Sequence, residues 1–144
     1  MKNTIPMFGK KRLSSLLIGA FIGTIYFLVI RRLQISGIKW EINVVGIVMA
    51  TAITEELVFS GFIAGYLEKI RKGKWTNYLI VGSMVILMRL PILLFVFKPD
   101  LSETVGVLLV AGASGVINAW IRVRTEDVSG SILARMGINL AVLG

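Results

Sequence analysis

Charged residues fall along the chain in short clusters and divide it into five apolar stretches. The first, Leu13 to Ile30, lies between Lys10, Lys11 and Arg12 on one side and Arg31 and Arg32 on the other, and is long enough to cross a bilayer. Its positive start has the outline of a signal peptide, but the apolar run is too long and no small-x-small cleavage site follows, so an uncleaved first helix is expected. The second stretch runs from Ile42 to Leu67, the third from Asn77 to Phe97 and the fourth from Thr104 to Ile121. Pro91 predicts a kink in the third. The fifth begins near Val128 and reaches Gly144, about 22 Å of helix at 1.5 Å per residue, which is short for a span. This last helix is expected either to stop inside the bilayer or to belong to a chain that continues. With no repeat, linker or low-complexity tract, the pattern predicts one all-α domain over residues 1–144, a polytopic membrane bundle of about five transmembrane helices.

Composition supports the membrane reading. The chain is 56% hydrophobic and 17% charged, with a mean hydropathy of +0.82, and a water-soluble domain of 144 residues could not hide so much apolar surface. Cysteine and histidine are both absent, which excludes disulfides, thiolate nucleophiles and the usual zinc sites, so no metal and no cofactor is expected. The net charge of +8 does not point to nucleic acid, because the basic residues cap apolar runs and are not interleaved with exposed aromatics. They read as contacts to the lipid bilayer and as topology signals. Ten Lys and Arg residues fall in the segments that are internal if the N-terminus is inside, among them Lys69, Arg71, Lys72, Lys74, Arg122 and Arg124, against four outside, Arg31, Arg32, Lys39 and Lys98. A cytoplasmic N-terminus in a bacterial plasma membrane is therefore expected, with the loop from Arg71 to Lys74 inside. Trp40, Trp75 and Trp120 fall at segment ends, where interfacial tryptophans belong.

Four formal charges remain within the apolar segments: Glu55, Glu56, Arg89 and Arg135. Each costs about 2.5–3.5 kcal/mol on insertion scales if left alone, so partners or a task are expected. Glu55 and Arg89 lie equally far from the ends of their segments, about 18 Å deep at 1.5 Å per residue. Asn139 follows Arg135 by four residues, on the same helix face. The four charges sum to zero, which fits a cluster that pins the bundle. Adjacent helical residues point about 100° apart, so Glu55 and Glu56 are not expected to face one arginine together. The Gly19-x-x-x-Gly23 and Gly61-x-x-x-Gly65 pairs are expected to be packing sites, and Met84, Met88 and Met136 gap-filling residues.

The segment "EELVFSG" resembles the EExxxR motif of the CAAX protease and bacteriocin-processing family, also called CPBP or Abi proteins, which includes the prenyl-protein endopeptidases. "VILMRLP" is similar to the family's FxxxH helix, and "IRVRTEDVSGSILARMGINL" to its RTGSLW-type turn leading into HxxxN. The resemblance covers residues 45–144. It implies an intramembrane peptidase core in which the first glutamate activates water, two histidines assist, an asparagine helps stabilise the oxyanion, and the motif arginine holds the second glutamate. Carried over, Glu55 matches the water-activating carboxylate, Glu56 the paired one and Asn139 the oxyanion donor. The remaining positions depart from the motif. Ser60 stands in place of arginine, Val85 in place of phenylalanine, and Arg89 and Arg135 in place of the two histidines.

A guanidinium has five donors and no acceptor and stays charged, so it can neither ligate a metal nor exchange a proton at neutral pH. The resemblance therefore implies a pseudoprotease, one that binds or regulates a peptide or membrane-protein partner, for instance in bacteriocin processing or immunity. Arg89 or Arg135 is expected to take over the missing arginine's task by pairing with Glu56. The alternative is an active glutamate-dependent intramembrane endopeptidase, since an arginine can still stabilise an oxyanion electrostatically. A small transport component is a third reading, weakened by the absence of a wide polar stripe.

Overall fold

The computed structural model describes residues 8–9, 11–33, 42–71, 73–97 and 100–143. Apart from short turns these residues are helical, with no strand among them. Helix α1 spans Arg12–Leu33. Helix α2, Ile42–Glu56, continues without a break through a π-helical stretch, Leu57–Ala64, into α3, Gly65–Ile70. Helix α4, Lys74–Ile92, contains Pro91 and opens into a π-helical turn, Leu93–Phe97. Proline brings no N–H, so the carbonyl one turn before it loses its usual donor, and the wider turn follows where the kink is expected. Helices α5, Leu101–Thr125, and α6, Ser129–Leu143, complete the chain.

Four of these rods are long and apolar enough to cross a membrane: Arg12–Arg32, Val45–Ile70, Lys74–Phe95 and Thr104–Thr125. Helix α6 has 15 residues and is not among them, in line with the short fifth stretch of the sequence. Large apolar side chains point outward, including Leu13, Leu17 and Phe21 of α1, Leu79 and Leu87 of α4, and Leu101 and Leu109 of α5. Buried positions are held by small or polar residues, among them Ala52, Ala64, Ser60, Ser114, Asn118 and Ala134. This distribution suits a bundle whose solvent is lipid, where helix contact depends on small residues and interhelical hydrogen bonds. The protein is an integral membrane protein.

Packing is tightest along two crossings. Helix α1 lies against α6, and a Cβ added at Gly19 would come 2.1 Å from the Gly130 carbonyl oxygen, as one added at Gly137 would from that of Gly23. The Gly19-x-x-x-Gly23 pair is therefore a packing site, as expected. Helices α4 and α5 meet through Gly82, Gly112 and Gly115, beside an apolar core of Phe59, Tyr78, Val81, Val85, Ala111 and Ala119. Gly61 and Gly65 are buried in and after the π-helical stretch.

Two expectations change. Helix α5 runs one turn past Ile121, so Arg122, counted as a loop cation, is a helical residue only 3% exposed. Met84 and Met88 do not fill core gaps; both lie on the outer surface of α4. Trp75 and Trp120 sit near helix ends with exposed rings, while Trp40, Lys39, Lys72 and Lys98 lie outside the described residues.

The turn from α5 to α6 reverses at Glu126, whose φ of 56° is left-handed. Asp127 then starts α6: its Oδ1 accepts the Ser129 N–H at 2.8 Å and its Oδ2 the Gly9 N–H at 2.9 Å. Ser15 of α1 donates from Oγ to the Asp127 carbonyl at 3.1 Å and accepts the Gly130 N–H at 2.9 Å, tying α1 to the turn. Burial of Asp127 opposes its charged form, but hydrogen bonds from Ser129 and Gly9 and the charge of Arg12 outweigh it, so the carboxyl lies below the ordinary range. A carboxyl lowered in the folded state contributes stability above its unfolded value of about 3.9, and that contribution fades as pH falls through the folded value. Asp127→Ala is expected to lose about 1 kcal/mol at neutral pH, the usual worth of such a cap. Thermal unfolding in detergent should show the gap to wild type closing below about pH 4; a gap that widens in acid contradicts the assignment.

Candidate functional site

The four intramembrane charges meet at the centre of the bundle. Glu55 and Glu56 end α2, one residue before the π-helical stretch, Arg89 comes from α4, and Arg135 from α6. Arg89 Nη2 donates to both oxygens of Glu55, at 2.8 and 3.0 Å, which bears out the matched depths of the two residues. Arg135 Nε lies 2.9 Å from Glu56 Oε1 and 3.3 Å from Glu55 Oε2. One arginine thus does face both glutamates, contrary to the expectation from ideal helix angles. The long carboxylate arms swing towards each other, and the guanidinium edge lies between them.

Glu56 is wholly buried and fully bonded. Besides Arg135, its Oε1 accepts from Asn118 Nδ2 at 2.8 Å, and its Oε2 accepts from the Ser60 hydroxyl one turn on. Ser60, expected at the motif's arginine position, carries no charge, and Arg135 brings one to Glu56 from another helix. Arg135 is itself 1% exposed and is held by a further bond from Nη1 to Ser114 Oγ at 3.1 Å. A buried carboxylate persists beside a buried guanidinium only with such bonding, and Arg135 is satisfied here at Nε and Nη1. Glu55 and Arg89 lie nearer the outside, with side chains 14% and 32% exposed.

Asn139 lies one turn from Arg135 on α6, and its Nδ2 donates to Thr51 Oγ1 at 3.0 Å. Thr51 is one turn before Glu55, so the asparagine is anchored beside the carboxylates rather than bonded to them. Val85, expected in place of the motif phenylalanine, is buried in the apolar core one turn before Arg89.

Ser114 and Asn118 of α5, and Thr51 of α2, belong to the network but do not emerge from a search for formal charges. A signal was available. Ser114 and Asn118 are four residues apart, on one face of an otherwise apolar segment, and Thr51 stands four before Glu55. Asn118 Oδ1, Arg135 Nη2 and the Tyr26 hydroxyl are buried without a partner in the structure. Among the described residues no group of three or more His, Cys, Asp or Glu side chains could hold a metal ion.

The fold and this cluster together define a helical membrane protein with a neutral carboxylate and guanidinium core. Residues 37–141 match the family model described as type II CAAX prenyl endopeptidase Rce1-like, and the chain belongs to that family. No curated protein and no solved structure matches the chain.

Proposed function

We propose that this protein is a pseudoprotease of its family, acting in the membrane by binding or regulating a peptide or membrane-protein partner. The bonding of Glu55 supports this reading most directly. The group matching the family's water-activating carboxylate accepts hydrogen bonds at both oxygens from Arg89, and Arg135 closes on one of them. Both arginines stand where the family motif has histidine, and neither can relay a proton at neutral pH. A neutral, mutually paired cluster also offers no free charge to a passing ion, which argues against transport.

One observation favours the second reading, an active endopeptidase: Glu55 and Arg89 retain partial exposure while Glu56 and Arg135 do not. The two separate on a prenylated CAAX peptide incubated with the protein in proteoliposomes, with products read by mass spectrometry. The expectation is no cleavage by wild type beyond that by Glu55→Gln. Cleavage that Glu55→Gln abolishes makes the protein an enzyme.

With Arg122 folded into α5, nine basic residues against four still support a cytoplasmic N-terminus. With no native cysteine, Lys74→Cys should react with an impermeant thiol reagent only after the membrane is opened; reaction from outside intact cells inverts the topology.

A further inference from the structure

Helices α2 and α4 diverge at Glu55. The π-helical stretch after Glu56 packs against α4, whereas α2 before it packs on α6. A wedge is left between α2 and the far end of α4, and the pair of Arg89 and Glu55 lies at its apex with side chains 32% and 14% exposed. Thr51 and Val58, about one turn before and after Glu55 on the same helix face, are exposed too, as are Leu94 and Phe95 beyond Arg89.

Such an apolar rim is at home in lipid, but the pair at the apex is not. Nη2 of Arg89 is engaged by Glu55, and no described residue accepts from its Nε or Nη1. Glu55 Oε1 takes one bond and keeps a lone pair to spare. The pair sits about 18 Å from the near end of its spans in a hydrocarbon layer about 30 Å thick, so neither group reaches an interface while they hold each other. Open donors and acceptors at that depth require a polar partner, since acyl chains supply none.

Charge decides what kind. Glu55, Glu56, Arg89 and Arg135 sum to zero, and the other charged residues of the described helices fall in end turns. An acidic partner would leave the apex negative, and a basic one would meet Arg89. The group that fits is neutral, with an acceptor for Arg89 and a donor for Glu55 side by side, which is a carboxamide. Backbone amides of a membrane helix are engaged within its own turns, and short hydroxyl side chains fold back onto them, as Thr24, Thr51, Thr54 and Ser83 do here. Asn and Gln side chains remain.

We infer that the wedge between α2 and α4 seats a membrane helix of a partner protein, held at the apex by an Asn or Gln carboxamide whose oxygen accepts from Arg89 and whose NH2 donates to Glu55. This rests on the partner-binding reading above and gives the partner its chemistry.

The full chain, labelled through Lys74→Cys, can be reconstituted in liposomes with dilute labelled helices of about 20 apolar residues carrying Asn, Glu or Leu at the centre, and association read by energy transfer. The Asn helix is expected to bind about tenfold tighter than the Leu helix, and the preference to vanish in Arg89→Leu. Val58→Trp fills the wedge from an exposed position without touching the charges. It should weaken binding of the Asn helix at an unchanged unfolding temperature, so the outcome does not hang on the folding of the Arg89 variant. Equal binding of the Asn and Leu helices, a preference for the Glu helix, or an Asn preference that survives Arg89→Leu overturns the carboxamide site. None of these touches the pseudoprotease reading, which Glu55-dependent cleavage of the prenylated peptide alone overturns. Energy transfer between labelled copies of the protein that excludes the Asn helix overturns the site in favour of self-association.

Discussion

Replacing Arg135 with methionine is expected to destabilise the bundle by about 3–5 kcal/mol, the usual consequence of removing one partner from a buried ion pair. Glu56 is wholly buried and would keep Asn118 and Ser60 as donors, but neither neutralises its charge. Adding Glu56→Gln to Arg135→Met should recover much of the loss, since the cluster then carries Glu55 and Arg89 alone and is neutral again. Arg89→Leu is the informative contrast. Its partner Glu55 also touches Arg135, and Arg89 is 32% exposed, so a loss of about 1 kcal/mol is expected. Denaturant or thermal unfolding in detergent, compared across the three variants, measures these differences. Equal sensitivity at Arg89 and Arg135, or no rescue by Glu56→Gln, contradicts a core pinned by the inner pair.

The second large effect is expected at the crossing of α1 and α6. A Cβ at Gly137 would meet the Gly23 carbonyl oxygen at 2.1 Å and its carbon at 2.6 Å, and these are backbone atoms that no rotamer change can move aside. Gly137→Ala should force the helices apart and destabilise by about 1–3 kcal/mol, as overpacking does. Gly46→Ala provides the control within the same protein. Nothing lies within 4 Å of a Cβ there, and alanine is the better helix former by about 1 kcal/mol, so that variant should be neutral or more stable. Thermal unfolding of the two alanine variants in the same detergent gives opposite signs if the crossing is as tight as described.

The segments, their order and the meeting of Glu55 with Arg89 were legible because charge is scarce in an apolar chain and depth can be counted at 1.5 Å per residue. The shared Arg135 was not legible, since ideal helical angles describe Cβ directions and say little about where two long carboxylate arms can converge. Nor was the π-helical stretch after Glu56, which no residue in "LVFSGFIA" announces. Ser114 and Asn118 are hard to read for a different reason: neutral polar residues also serve as simple interhelical bonds, and only the third dimension shows that these two bond to a buried ion pair. Arg122 misled in the opposite sense. It lies near other basic residues and reads as a loop cation, yet it is folded into the last turn of α5.

The glycine crossing also bears on modularity. The match to the family covers residues 37–141, and α1 lies entirely before it. Yet the face of α6 that carries Arg135 into the core is backed by α1, through bare backbone at Gly130 and Gly137 and through Ser15 at the α5 to α6 turn. A unit cut at the family boundary would leave that backbone against acyl chains, which fill a glycine groove poorly and offer Gly130 no acceptor for the N–H that Ser15 holds. The family match and the packed bundle therefore differ in extent, since α1 lies outside the match and packs against α6 as one of the bundle's helices.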